Sequence, residues 1–237
     1  MNGQPGRRTG AAAPQPPPPA QRWRLTFARE RDPDRRPHRE VVDEWIERLR
    51  ASALPLPDAT GRLRVPVTFA APLPAGMECR EEVADLWLRS VLPLWQVREA
   101  LTPTLPPRIE LVRVDDVWVG APALAAAVRA AVYRVGLPEA APFDLLEHAA
   151  ARLLASRSIE RPRARGTSTV QVDVRPLIES VGVSREPASL EIRTRFLPDR
   201  GAGRPEDVLA ILASSIGSPV DWGETVRERL VFADPGR

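Results

Sequence analysis

The sequence predicts an α+β fold made of two tandem ferredoxin-like (split βαβ) domains, with antiparallel sheets that carry their helices on one face. The first observation is a set of short segments in which apolar and polar residues alternate, as in half-buried strands. The second is a set of segments with apolar residues at helical spacing. The third is their order, which is strand, helix, strand, strand, helix, strand in the first half and similar in the second half.

The first half is organised around a predicted hairpin at residues 62–88. Its first arm places apolar side chains on one face of a strand, and its second arm, residues 83–88, is also largely apolar. The intervening sequence APLPAGM holds two prolines and a glycine, which cannot continue a strand ladder, so the chain must turn there. The apolar residues of the first arm are Leu63, Val65, Val67 and Phe69.

The other elements of the first half are predicted from the same two patterns, which are the alternation of a strand and the apolar spacing of a helix. A predicted helix begins at Arg39 and ends before residue 54, with Trp45 on its apolar stripe. The remaining elements are a strand at 22–29, a short helix at 92–101 and a strand at 108–114. With the hairpin, they complete one split βαβ unit.

The second half repeats this order without repeating its residues. Pro205 marks the start of the last helix, because proline is favoured in a first helical turn. The segment RSIERPRARGTS, residues 157–168, is predicted to be a basic loop. The predicted strands are 132–137, 169–174, 190–196 and 226–232, and the predicted helices are 142–156 and 205–216.

These elements divide the chain into a tail, two domains and a linker. Residues 1–21 are predicted to be disordered, because their Pro, Ala, Gly and Gln bury too little apolar surface to fold. The first ferredoxin-like domain is predicted at 22–119 and the second at 132–237. An alanine-rich linker at 120–131 joins them.

The composition limits the kinds of chemistry. The chain has one cysteine, Cys79, and two separated histidines, so we expect no disulfide, no metal site and no bound cofactor. It has neither a signal-peptide pattern nor an apolar run near ~18 residues, so we expect a cytoplasmic protein with no membrane contact. All 34 basic residues are arginine, but 31 acidic residues balance them, so charge alone identifies no nucleic-acid partner.

His38 is the candidate catalytic residue. It lies between Arg36 and Arg39 just before the first predicted helix, where the helix dipole and free N–H groups attract anions. A histidine there could contact a phosphate or move a proton. The alternative is a solvated loop residue, and His148, inside a predicted helix, is expected to be structural or exposed.

The predicted basic loop is the candidate site for nucleic acid or another anion. Its arginines could hold a phosphate backbone, with Gly166 allowing close approach. The alternative is a solvated loop whose arginines pair with local acids. The candidate residues are Arg161, Arg163, Arg165 and the following Arg175.

Three ordered blocks of sequence resemble a known family. They are FAAPLPAGMECREEVADLWL at 69–88, APALAAAVRAAVYRV at 121–135 and RGTSTVQVDVRPLI at 165–178. With these blocks the chain resembles the bacterial radical SAM-linked proteins, a domain of unknown function encoded beside or fused to radical SAM proteins. PHRE at 37–40 keeps only His38 of the family's Ser-His-Leu-Asp pattern, and TGRLRV at 60–65 stands where members carry a second histidine.

The resemblance implies an accessory module that works with a radical SAM enzyme and presents an RNA or protein substrate to it. Two alternatives stay open. One is an RNA-processing or RNA-modifying enzyme that uses His38. The other is a protein–protein adaptor without nucleic-acid contact.

Overall fold

The computed structural model describes residues 18–57, 65–165, 168–217 and 219–233. Most of the predicted disordered tail, 1–21, lies outside these residues, as does the start of the predicted hairpin at 62–64. The first strand begins at Gln21, one residue before the predicted start of the first domain.

The described residues form eleven strands and five α-helices. The helices are α1 (His38–Arg50), α2 (Leu94–Leu101), α3 (Leu124–Ala127), α4 (Phe143–Ala155) and α5 (Pro205–Ile216). The strands of the first half are β1 (Gln21–Arg29), β2 (Val67–Phe69), β3 (Glu78–Leu88) and β4 (Ile109–Val117). Those of the second half are β5 (Val128–Gly136), β6 (Glu160–Arg165), β7 (Ser168–Asp173), β8 (Ile178–Arg185), β9 (Ala188–Leu197), β10 (Gly201–Ala202) and β11 (Thr225–Phe232).

Nine of the described strands form one sheet, in the order β10-β9-β5-β11-β3-β1-β4, with β2 also paired to β3 and β8 to β9. Most neighbours are antiparallel. The join between the two halves of the chain is parallel, because β11 runs alongside β3 with Arg227 opposite Cys79. The last strand of the chain therefore connects the strands of the first half to those of the second.

Two hydrophobic clusters form the core, and β3 contributes to both. Val83 packs in the cluster that includes α4 and α5, whereas Ala84 packs in the cluster that includes α1 and α2. Successive side chains of a strand point to opposite faces. The two pairs of helices therefore cover opposite faces of the sheet at β3.

The mixed α+β class predicted from the sequence is confirmed. The predicted hairpin is also confirmed where it is described, because Val67 pairs with Leu86 and Phe69 with Ala84. The division into two tandem ferredoxin-like domains stays a prediction. The apolar patterns of the sequence did not predict that one sheet contains strands from both halves of the chain.

Several element boundaries differ from those predicted. The prediction of a basic loop at 157–168 was wrong, because β6 lies within this segment and pairs with β7 in a separate two-stranded sheet. Strand β8 was missed, and β5 begins at Val128, inside the predicted linker, rather than at residue 132. Alternating charges in β6 and a glycine within β8 leave no clean apolar period for either strand.

No α-helix among the described residues is long and apolar enough to cross a membrane.

Candidate functional site

The turn at residues 71–77, which contains the PLPAG sequence, separates two clefts. We call the first the polar cleft. It has a volume of about 540 Å³, and the side chains that matter below are Arg31, Arg35, Glu206, Trp222 and Glu224. The second, the apolar cleft, has a volume of about 370 Å³ and is lined by Leu73, Tyr133 and Phe196 among others. Pro74 and Glu206 line both, so the two clefts meet there.

A buried aspartate fixes the loop that carries the arginines of the polar cleft. Asp32 is 4% exposed, and it accepts hydrogen bonds from the Asp34 N–H at 3.1 Å and from Arg36 Nε at 3.0 Å. Its own carbonyl accepts from the N–H of Arg35 at 3.1 Å. Burial tends to raise the pKa of Asp32, but the hydrogen bond and charge of Arg36, the Asp34 N–H and the charge of Arg29 together lower it.

The turn and this loop approach each other closely at Gly76. Gly76 and Arg35 both have left-handed backbone conformations, with φ of 79° and 50°. A Cβ atom on Gly76 would lie 2.9 Å from Arg35 Cγ and 3.2 Å from the Asp32 carbonyl oxygen. Only glycine fits here without displacing the loop, so the contact holds the stem of Arg35 in place beside the cleft.

The polar cleft holds charges of both signs, and two of them are unpaired. At its rim, Arg31 Nε lies 3.1 Å from Glu224 Oε1. Within the described part of the chain, Arg35 and Glu206 make no ion pair and no side-chain hydrogen bond. Glu206 lies in the first turn of α5, at the junction with the apolar cleft. Among the described residues, the polar cleft therefore presents one guanidinium and one carboxylate that have no ion-pair partner.

A buried charge cluster lies beneath the turn. Arg227 Nη1 donates to the Pro72 carbonyl at 3.0 Å, and Nη2 donates to both oxygens of Glu82 at 2.6 and 2.5 Å. Burial raises the pKa of Glu82, while contact with Arg227 favours its carboxylate. Burial also raises the pKa of the neighbouring Cys79 thiol to about 12, so Cys79 stays protonated and is a poor nucleophile.

His38 is half-buried beside Phe69 and lines neither cleft. It is the first residue of α1, and its ring stands edge-on to Phe69 with centroids 5.4 Å apart. Among the described residues, the space beside the ring has no room for a water molecule, and the buried Nδ1 of His38 has no hydrogen-bond partner. Burial, with the charges of Arg29 and Arg227, lowers the pKa of His38. His148 bonds the Asp144 carbonyl oxygen of its own helix at 2.6 Å.

The candidate arginines do not converge on one site. Arg163 on β6 bonds Asp207 at 2.5 Å and the Ala202 carbonyl at 3.2 Å, next to the apolar cleft. Arg175 bonds the carbonyl oxygens of Leu154 and Ile178, at 2.6 and 2.8 Å. Arg161 lies two residues before Arg163 on β6, on the same face of the strand, and is half-buried. Arg165 pairs with Ser168 through the strand ladder, and its side chain lies outside the described atoms.

A second surface feature is a set of exposed apolar side chains on two segments of the chain that both lie near the start of β1. Its residues are Val91, Leu94, Trp95 and Trp118, and we call it the tryptophan patch. The two indoles are 63% and 78% exposed. The Gln21 side chain exchanges hydrogen bonds with the backbone of Leu92, and Val117 pairs with Arg22, so both parts of the patch lie at the start of β1.

Arg35, Glu206 and the two exposed tryptophans were not among the residues singled out from the sequence. The only local signal for the clefts was the turn-forming PLPAG sequence. Arg35 and Glu206 belong to distant segments, so their proximity follows from the sheet order alone. Among the described residues, no group of three or more His, Cys, Asp or Glu side chains is placed to hold a metal ion.

Comparisons with known proteins identify a family but not an activity. The model of an uncharacterized protein conserved in bacteria (DUF2344) matches residues 22–204. No curated protein matches the chain. A solved structure, "Crystal Structure of a Cbf5-Nop10-Gar1 Complex", aligns with 10% identity and a TM-score of 0.43, over 86% of this chain. The chain spans 48% of the length of that match, and at this TM-score the likeness carries no argument.

Proposed function

Because the chain belongs to this family of uncharacterized bacterial proteins, and because its sequence resembles the radical SAM-linked proteins, we propose that it is an accessory module of a radical SAM enzyme. In this proposal it docks onto the enzyme and presents an RNA or protein substrate to it. The resemblance supports the class of partner. The tryptophan patch supports the docking.

The patch carries the proposal because two large indoles are left in solvent. Trp23 and Trp45 are only 4% and 1% exposed. Exposed apolar clusters commonly mark interaction sites, and tryptophan is among the residues that contribute most to binding at interfaces. Trp118 also follows directly on β4, which pairs only with β1 among the described strands. An open sheet edge next to an apolar patch suits a protein partner.

The alternative of an enzyme that uses His38 has less support. A general base needs room for its substrate within hydrogen-bond reach, and the packing of His38 against Phe69 provides none. The pure adaptor differs from our proposal in presenting no substrate and in making no nucleic-acid contact. The hydrogen bonds of Arg163 to Asp207 and of Arg175 to two backbone carbonyls favour a structural role for those two arginines. Arg161 is half-buried and could contact phosphate.

Co-expression tests the docking. The full chain, tagged, is produced together with a radical SAM protein from the same genome, and the eluted material is passed through gel filtration. We expect one stable complex from the wild type and none from the double variant Trp95→Ser, Trp118→Ser. The matched control is Leu145→Ser, which removes a 53% exposed apolar side chain from α4 and should keep the complex. Separate elution of wild-type protein and enzyme would refute the proposal.

A further inference from the structure

The joined clefts have the chemistry of a small-molecule site that is independent of the tryptophan patch. Each has a volume in the range of ligand pockets, which is roughly 300–1,000 Å³. Such pockets are mostly apolar, with a few fixed polar groups that set the orientation of the ligand. Here the apolar cleft supplies Tyr133, Phe196 and Leu73, and the polar cleft supplies Arg35 and Glu206.

The order of these groups constrains the ligand. Glu206 stands at the junction, so a cationic group of the ligand would lie next to its apolar part. Arg35 lines only the polar cleft, so an anionic group would lie beyond the cation. A phosphate or a polyanion fits less well, because the unpaired Glu206 would face it with like charge. The groups match a molecule with an apolar side group, an ammonium and a carboxylate.

The geometry points to a binding site for a free α-amino acid with a large apolar or aromatic side chain. The side chain enters the apolar cleft, the ammonium donates to Glu206, and the carboxylate accepts from Arg35. Arg35 suits the last role because its backbone N–H bonds to Asp32 and its stem packs on Gly76. A side chain whose stem is held loses less entropy on binding, and the planar fork of a guanidinium matches a carboxylate. Arg204 also borders the apolar cleft, but it is an exposed N-terminal cap without such anchoring.

Three ligands that differ in one charge each test this assignment by calorimetry on the full chain. They are L-phenylalanine, 3-phenylpropanoate, which lacks the ammonium, and 2-phenylethylamine, which lacks the carboxylate. We expect phenylalanine to bind with a Kd below about 1 mM, and each analogue about tenfold more weakly, since each loses a charge-assisted hydrogen bond. Tyrosine, tryptophan, leucine and methionine complete the panel.

Two variants connect each charge to one residue. Arg35→Gln should bind phenylalanine no more tightly than the wild type binds 2-phenylethylamine. Glu206→Gln should bind phenylalanine no more tightly than the wild type binds 3-phenylpropanoate. Both side chains are exposed, so circular dichroism should show an unchanged fold. Arg50→Gln and Glu139→Gln, at exposed positions away from the clefts, should leave all three affinities unchanged. Equal affinities for the three ligands, or no binding of any amino acid in the panel, would overturn the inference.

Discussion

Arg227 of β11 donates from Nη2 to both carboxylate oxygens of Glu82 on β3, at 2.6 and 2.5 Å, and both side chains are almost completely buried. The pair lies where the last strand of the chain joins the first half of the sheet. A buried charge without its partner is costly, so each residue depends on the other.

We predict that Glu82→Ala lowers the free energy of unfolding by about 3–5 kcal/mol, because it leaves Arg227 buried and uncompensated. The double change Glu82→Leu, Arg227→Met should recover most of that loss, since apolar residues of similar volume need no partner. Urea unfolding of the wild type and the two variants measures both effects. A loss below about 1 kcal/mol for Glu82→Ala would mean that the pair does not connect the two halves.

We predict that Trp45→Ala costs about 3–5 kcal/mol, the range for a large aromatic removed from a core. Its ring lies 5.1 Å from Phe27 and 5.7 Å from Phe69, so the change removes the centre of an aromatic cluster. Chemical denaturation gives the value. Trp95→Ala is the matched control, because that indole is exposed, and it should change stability by no more than about 0.5 kcal/mol.

His38 should make stability depend on pH near neutrality. Its folded pKa is lowered, chiefly by burial, so the unfolded chain binds the proton first as pH falls below about 6.5. The free energy of unfolding should therefore decrease as pH falls from about 7 toward the lowered pKa, with a slope of at most about 1.4 kcal/mol per pH unit. His38→Gln should lose this slope. If proton NMR shows His38 titrating at or above 6.5, the ring is solvated and the catalytic alternative regains support.

RNA binding through β6, if it occurs, should depend steeply on salt. Each phosphate contact contributes a log–log slope of about 0.7 on single strands. We predict that Arg161→Ala and Arg165→Ala each flatten the slope by about that amount, whereas Arg163→Ala does so less, because Asp207 already holds its charge. Affinity is measured across a salt series, with Arg50→Ala as a charge-matched control. Absence of RNA binding at low salt would favour the pure adaptor.

Much of the fold was accessible from the sequence because apolar periods are local signals. Strand β1 was predicted from Trp23, Leu25 and Phe27, and α5 was predicted with both of its ends, since Pro205 opens it. The strand β6 was not predicted, because arginine at every second position gives it no apolar face. Such a segment was predicted to be a solvated loop. A pair of strands can form from cross-strand hydrogen bonds that no single-strand pattern records.

The candidate site was less accessible, and for a different reason. His38 and the arginines of β6 were singled out by residue type, which says nothing of packing against Phe69 or pairing with Asp207. Arg35 and Glu206 come together only because β11 and β3 bring the two halves side by side. That parallel join depends on pairing between distant segments, and such long-range register has no local sequence signature.

The central claim is the proposed binding of a radical SAM enzyme, and the affinity of the full chain for a radical SAM protein from the same genome tests it most directly. We predict that Trp95→Ala and Trp118→Ala each weaken binding by about 2 kcal/mol or more, as interface hot spots do, while Leu145→Ala changes it by no more than about 0.5 kcal/mol. Isothermal titration with purified partners gives the three values, with circular dichroism confirming the folds. Wild-type binding that neither tryptophan change weakens, or no binding at all, would contradict the account.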